Sequence, residues 1–94
     1  MIIVRNTFLA KPGCASKLAA LVKNAASIGK LKNLRVLTDM TGDFNRVIME
    51  HEVEDLNGVA ATMQKYAKDE AVRSAMQGYT DLYVTGSREV LQTM

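Results

Sequence analysis

The stretch from Thr41 to Val53 constrains the fold more than any other part of the chain. It opens with Thr41-Gly42-Asp43-Phe44, a turn sequence in which Gly42 can take a positive φ. The residues after the turn alternate in character with a period of two, which is typical of a β-strand. One face carries Val47, Met49, His51 and Val53, and the other carries Arg46, Ile48, Glu50 and Glu52. We therefore expect a central strand whose two faces meet different surroundings.

The chain before this stretch reads as strand, helix, strand. Residues 2–10 are rich in β-formers and end at the breaker Lys11-Pro12-Gly13. Residues 14–29 place apolar side chains at spacings of three and four, which predicts an amphipathic helix. Gly29 fits a left-handed helix stop. Residues 34–40 alternate again and predict the second strand.

The chain after this stretch reads as helix, short helix, strand. Asp55 is a candidate N-cap for the second helix, and Asp69 lies in a predicted break before a short helical turn. The fourth strand is predicted at residues 79–84, with Leu82 towards the helices and Tyr83 on the opposite face. Gly86 interrupts the pattern, and residues 88–91 either continue this edge strand or swing onto a neighbouring chain. The predicted buried stripe of the second helix comprises Leu56, Val59, Ala60, Met63 and Ala67.

The order β-α-β-β-α-β predicts an α+β, ferredoxin-like fold for residues 1–94 as a single domain. The expected sheet is antiparallel, has four strands in the order 4-1-3-2, and carries both helices on one face. The uncovered face is too apolar to stay in water, so we expect a second copy to cover it in a homodimer.

Charge is unevenly distributed although the net charge is only +2. Residues 1–38 contain seven Lys or Arg and no acid, whereas residues 39–94 contain all ten acids. A solvated lysine-bearing helix beside an acidic one explains this pattern, and so does a basic binding face or the self-complementary association of two copies. One cysteine, Cys14, and one histidine cannot form a disulfide or a zinc-type cluster, so we expect no metal. Cys14 also lacks a nearby base that would activate it as a nucleophile.

The apolar run at Met1–Val4 is followed at once by Arg5 and is too short for a signal peptide. No stretch approaches the ~20 apolar residues of a membrane-spanning helix. We therefore expect a cytoplasmic protein without a membrane partner. Nucleic acid is not an expected partner either, because the aromatic pair of RNA-recognition sheets is absent.

Three segments and the order of the elements carry a resemblance to a known superfamily. They are Lys11-Pro12-Gly13, the turn and strand at residues 41–46, and Asp69-Glu70-Ala71-Val72-Arg73. Together they resemble the dimeric α/β-barrel superfamily, in particular NIPSNAP-like and antibiotic-biosynthesis-monooxygenase-like small proteins. The resemblance implies a homodimer whose two sheets form a barrel around a ligand cavity. Some members of this superfamily are cofactor-free oxygenases, some degrade haem, and many have no known activity.

The uncovered face supplies the ligand-binding candidates, because charges in a half-buried cavity must be paired or bind something. Arg5 and Glu50 can form a cross-strand pair, since the first and third strands are neighbours. An ion-pair network that sets the register of the dimer explains the same charges equally well. The candidates for ligand binding are Arg5, Asp39, Arg46, Glu50 and Tyr83.

His51 is a candidate acid or base, because histidine titrates near neutral pH, and Glu50 and Arg46 are the other catalytic candidates. The alternation places His51 with Val47 and Met49, away from the expected cavity, so a structural role is favoured over a catalytic one. A haem ligand would have to face that cavity. We therefore expect no cofactor, with haem not favoured.

These observations leave two functions open. In the first, the protein binds or transforms a small hydrophobic or aromatic ligand between the two sheets, as a cofactor-independent monooxygenase would. In the second, a non-catalytic binding protein or structural dimer uses its basic N-terminal half on an acidic partner. The sequence leaves open whether the protein is an enzyme.

Overall fold

The computed structural model describes all residues from Met1 to Met94. Four strands form one antiparallel sheet in the order β2-β3-β1-β4, which confirms the predicted fold class and strand order. The elements in chain order are β1 (Ile2–Ala10), α1 (Ala15–Ile28), β2 (Lys32–Thr38), β3 (Arg46–Val53), α2 (Leu56–Lys68), α3 (Glu70–Ala75), a 3₁₀ turn (Tyr79–Asp81) and β4 (Tyr83–Gln92).

The faces of β1 and β3 are the predicted ones. Arg5 lies opposite Glu50 of β3 and opposite Glu89 of β4. Side chains alternate along a strand, so these three residues share the face without helices, which we call the open face. Val4 and Val47 point to the helix side and are fully buried.

The helices differ in how deeply they pack, and none is long and apolar enough to cross a membrane. Four residues of α1 are buried, and the helix packs against β2, β3 and α3: Leu18, Val22, Ala25 and Ala26. No residue of α2 is buried, and Leu56 is 68% exposed. The stripe predicted for α2 is therefore only partly covered: Val59 and Met63 are half-buried, whereas Ala60 and Ala67 are exposed.

The fourth strand begins later than the sequence suggests. Gly78 takes a left-handed φ of 86°, and the chain closes a 3₁₀ turn in which the N–H of Leu82 donates to the carbonyl of Tyr79 at 3.0 Å. The strand then runs through Gly86 to Gln92, because its main chain pairs with β1 over this length.

This shift corrects the placement of Tyr83. A register shift in β1 between Leu9 and Ala10 places Tyr83 opposite Ala10, whose side chain is buried on the helix side. Tyr83 accordingly packs against the main hydrophobic core and not on the open face.

Gly29 is needed for space and not for a left-handed backbone. Its φ is −72°, and the residue with positive φ is Lys30, so the predicted left-handed stop at Gly29 is wrong. A Cβ added at Gly29 would lie 2.8 Å from the ring of Tyr66 in α2. The absence of a side chain at Gly29 lets Tyr66 approach the end of α1.

Candidate functional site

A row of alternating charges crosses the centre of the open face. Arg5 donates through Nε to Glu50 at 2.7 Å, and its Nη1 lies 3.7 Å from Glu89. Arg35 of β2 lies opposite Glu50 on the other side. Glu50 is only 8% exposed, and these basic neighbours offset the cost of burying its carboxylate.

A second ion pair lies at one edge of the open face. Arg46 Nε lies 3.4 Å from Asp39 Oδ2, and the backbone N–H of Arg46 donates to Asp39 Oδ1 at 3.3 Å. The four predicted charged residues of this face therefore form two separate pairs. Such pairs fit a ligand site and a structural ion-pair network between two sheets equally well. The ligand-binding role of these residues therefore stays a prediction.

A large cavity lies on the other side of the sheet, between the sheet and helices α2 and α3. This helix-side cavity has a volume of about 520 Å³, and ten of its 16 lining residues are hydrophobic. Its deep part includes the buried side chains of Val22, Met49 and Val72. Its mouth includes the exposed residues Arg73 and Arg88. The cavity is thus apolar inside and basic where it meets solvent.

Aromatic rings form much of its wall. Tyr83 meets Phe8 edge-on, with ring centroids 5.4 Å apart, and stacks on Tyr79 at 5.6 Å. Burial raises the pKa of Tyr66 above its ordinary value of 10.0, so its hydroxyl stays protonated at neutral pH. A flat apolar molecule would contact aromatic rings and a hydroxyl donor here.

The polar part of the cavity is built on β1 and β4. Asn6 is 6% exposed, and its Oδ1 accepts a hydrogen bond of 2.7 Å from Nε of Arg88. Neither Arg88 nor Arg73 forms an ion pair. No acidic residue lines the cavity, so the two guanidinium charges have no compensating carboxylate there.

His51 lies on the helix side of β3, as its position in the alternation predicted. It is 1% exposed, and neither ring nitrogen has a hydrogen-bond partner within the chain. Burial, and secondarily the charge of Arg88, keeps the pKa of His51 below its ordinary value of 6.5, so the ring is neutral at pH 7. His51 lines a smaller cavity of about 170 Å³ that shares Tyr66 with the larger one.

Most of the predicted site residues lie outside the helix-side cavity. Tyr83 lines it, whereas His51, Glu50 and Arg46 do not. The sole histidine is thus absent from its lining, so the residues of this cavity do not fit a histidine-ligated haem. No group of three or more His, Cys, Asp or Glu side chains that could hold a metal ion occurs in the structure.

Sequence reasoning missed the polar residues of the cavity. Asn6 could have been recognised from the sequence, because it is a polar residue on the buried face of β1, beside the apolar residues Ile2, Val4 and Phe8. Arg88 was not assigned to a site because Gly86 interrupts the alternation after Val84, which left open whether residues 88–91 continue the strand.

The comparison with known proteins supports the fold. No family model and no curated protein matches the sequence. A solved protein from Agrobacterium tumefaciens is similar with a TM-score of 0.88 and 17% identity, over 100% of this chain and 94% of that one. A NIPSNAP domain protein from Burkholderia xenovorans is similar with a TM-score of 0.85 and 16% identity, over 100% and 95% of the chains.

An antibiotic biosynthesis monooxygenase is also similar, with a TM-score of 0.75 and 12% identity over 100% of this chain and 99% of that one. The resemblance stated from the sequence is therefore confirmed at the level of the fold. At these identities the likeness carries no residue role from one protein to another.

Proposed function

We propose that this protein binds a small aromatic or hydrophobic ligand in the helix-side cavity. The volume of about 520 Å³ carries the proposal, because small-molecule sites typically measure roughly 300–1,000 Å³ and are mostly apolar with a few placed polar groups. Asn6, Tyr66 and Arg88 are such groups here. This cavity belongs to one chain, whereas the cavity first expected lies between two sheets and requires a second chain.

The residues that bound the helix-side cavity also support a role in ligand binding. Protein interiors are normally close-packed, and side chains around a void lose contacts that they would otherwise make. Met63 and Tyr66 of α2 face this space while the helix itself buries no residue. Gly86 leaves the β4 side of the cavity without a side chain, opposite Phe8. A bound ring would restore the missing contacts.

Oxygenation of that ligand is the enzymatic form of the proposal, and its support is the fold shared with the monooxygenase. Without a cofactor, the ligand itself must supply the electrons that reduce dioxygen, so an electron-rich phenol is the class to test. Oxygen uptake that requires both the phenol and the protein would support this form. Tight binding without oxygen uptake would restrict the protein to binding.

We also propose that two copies pair through their open faces. Ile3, Leu9 and Ile48 are apolar side chains on this face, and no helix of the chain covers them. Light scattering coupled to gel filtration should give twice the chain mass of 10.3 kDa. Ile48→Glu should shift the mass to that of one chain, since it would bury another acid beside Glu50. A single-chain mass for the unmodified protein would contradict this proposal.

A matched pair of variants on α2 tests the cavity as a binding site. Ala67 lines the cavity, whereas Ala60 is exposed on the same helix and does not line it. Ala67→Phe should place a ring in the cavity and abolish the thermal stabilisation given by a small aromatic panel. Ala60→Phe should leave that stabilisation unchanged. Equal stabilisation of both variants, or none in the unmodified protein, would overturn the proposed function.

A further inference from the structure

We propose that the ligand is an aromatic carboxylate, whose charged end is held by Arg88 and Arg73 at the mouth of the helix-side cavity. This inference rests on the proposed function and specifies its ligand class. Three observations carry it: the hydrogen bonding of Arg88, the absence of acids around it, and the division of the cavity into an apolar interior and a basic mouth.

Arg88 is oriented by a neutral partner. Its Nε donates to the buried amide oxygen of Asn6 at 2.7 Å. Its two terminal nitrogens form no hydrogen bond or ion pair within the chain. The guanidinium is thus fixed in direction and has no carboxylate partner within the chain, and its terminal donors match the geometry of a carboxylate.

The other arginines with hydrogen-bonded side chains are different. Arg5 donates to Glu50 and Arg46 donates to Asp39, so both already have carboxylate partners. On the helix side, the side chain of Arg88 also donates a hydrogen bond, but its partner is the amide of Asn6 and not a carboxylate. Asn6 therefore positions the guanidinium without neutralising it.

The arrangement of the cavity sets the orientation of the ligand. Arg73 and Arg88 lie at the exposed mouth, while the interior is formed by side chains such as Val22, Met49 and Val72. A ring inserted among these side chains would leave its carboxylate at the mouth. There it meets two positive charges and keeps part of its hydration, which limits the cost of desolvating the charge.

A charge-matched ligand pair tests this inference directly. Calorimetric titration of the full chain with 2-naphthoate and with 2-naphthamide compares an anion with a neutral molecule of nearly the same shape. We expect 2-naphthoate to bind about tenfold more tightly or better, as for a hydrogen-bonded charge pair. Arg88→Gln should remove this preference, and Arg73→Gln should reduce it. Arg35→Gln, on the open face, is the control and should keep it.

The outcomes separate the inference from the proposed function. Equal affinity for the two ligands, with loss of both in Ala67→Phe, would overturn the carboxylate inference and leave the cavity as a neutral aromatic site. Binding of neither ligand would overturn the carboxylate inference, and the aromatic panel on Ala67→Phe then decides the proposed function separately. A preference for 2-naphthoate that survives in folded Arg88→Gln and Arg73→Gln would also overturn the inference. Circular dichroism of each variant checks that it is folded.

Discussion

Helices α1 and α2 lie on the same face of the sheet and have nearly equal lengths, 14 and 13 residues, yet only α1 belongs to the core. Four residues of α1 are buried and none of α2 is. Helix α1 is therefore part of the packed core, whereas α2 covers a cavity. In the proposed function, α1 therefore contributes to the packed core and α2 forms part of the binding site.

The side chains that face the sheet explain this difference. The small residue Ala26 of α1 is fully buried and belongs to the same core cluster as Val47 and Met49 of β3. In α2, Met63 and Tyr66 line the cavity below the helix. Tyr66 is also held from the side by the close approach of Gly29. The C-terminal part of α2 is therefore held against the end of α1, while Met63 faces the cavity.

The largest expected effect comes from truncating the same residue type in each helix. Leu18 of α1 is 0% exposed and Leu56 of α2 is 68% exposed. Leu18→Ala should lower the free energy of unfolding by about 2–5 kcal/mol, because it leaves a cavity in the core. Leu56→Ala should change it by less than about 0.5 kcal/mol. Urea denaturation of the two variants gives both values, and equal losses would contradict the contrast between the helices.

A methyl group at Gly29 should have an intermediate effect. The new Cβ would lie 2.8 Å from the Tyr66 ring and 3.2 Å from a methyl of Val72. We expect Gly29→Ala to cost about 1–3 kcal/mol, as overpacking usually does. In a Tyr66→Leu background the cost should fall, because the clashing ring is gone. An undiminished cost in that background would show that Tyr66 is not the side chain displaced.

Replacement of His51 should mainly change how the free energy of unfolding depends on pH. Burial holds the pKa of His51 below 6.5 in the folded state, so the unfolded chain takes up a proton first as the pH falls. The stability that the neutral ring contributes is therefore complete above pH 6.5 and is lost as the pH falls towards the folded-state pKa.

His51→Leu should remove this loss and keep or raise stability at pH 7.5, since both ring nitrogens lack partners. Urea denaturation of both proteins between pH 7.5 and 5.5 measures the difference. Lys30, Lys32, Glu52, Lys65 and Asp69 line the small cavity beside His51, and Arg88 acts on it from β4. These groups are present in both proteins, so parallel pH profiles would contradict the assignment to His51.

The predictable part of this molecule follows from periodicity. A shift of one residue in β1 or β3 would turn Val4 and Val47 out of the core, so the alternation defines both faces of these strands. The alternation does not define the fourth strand. Residues 79–84 look like a strand, but Gly78 starts a turn there, and the strand itself continues through Gly86. Arg88 and the helix-side cavity were missed for this reason. An apolar stripe also looks the same in the sequence whether the helix packs directly on the sheet or, as α2 does, covers a cavity.

Amide hydrogen exchange of the full chain, with and without 2-naphthoate, tests most directly whether α2 covers a binding site while α1 belongs to the packed core. Without ligand, amides of α2 should exchange faster than those of α1, because no residue of α2 is buried. Saturating ligand should slow exchange in α2 and around Arg88 and leave α1 unchanged. Equal protection of the two helices without ligand, or no change in α2 on binding, would contradict the account.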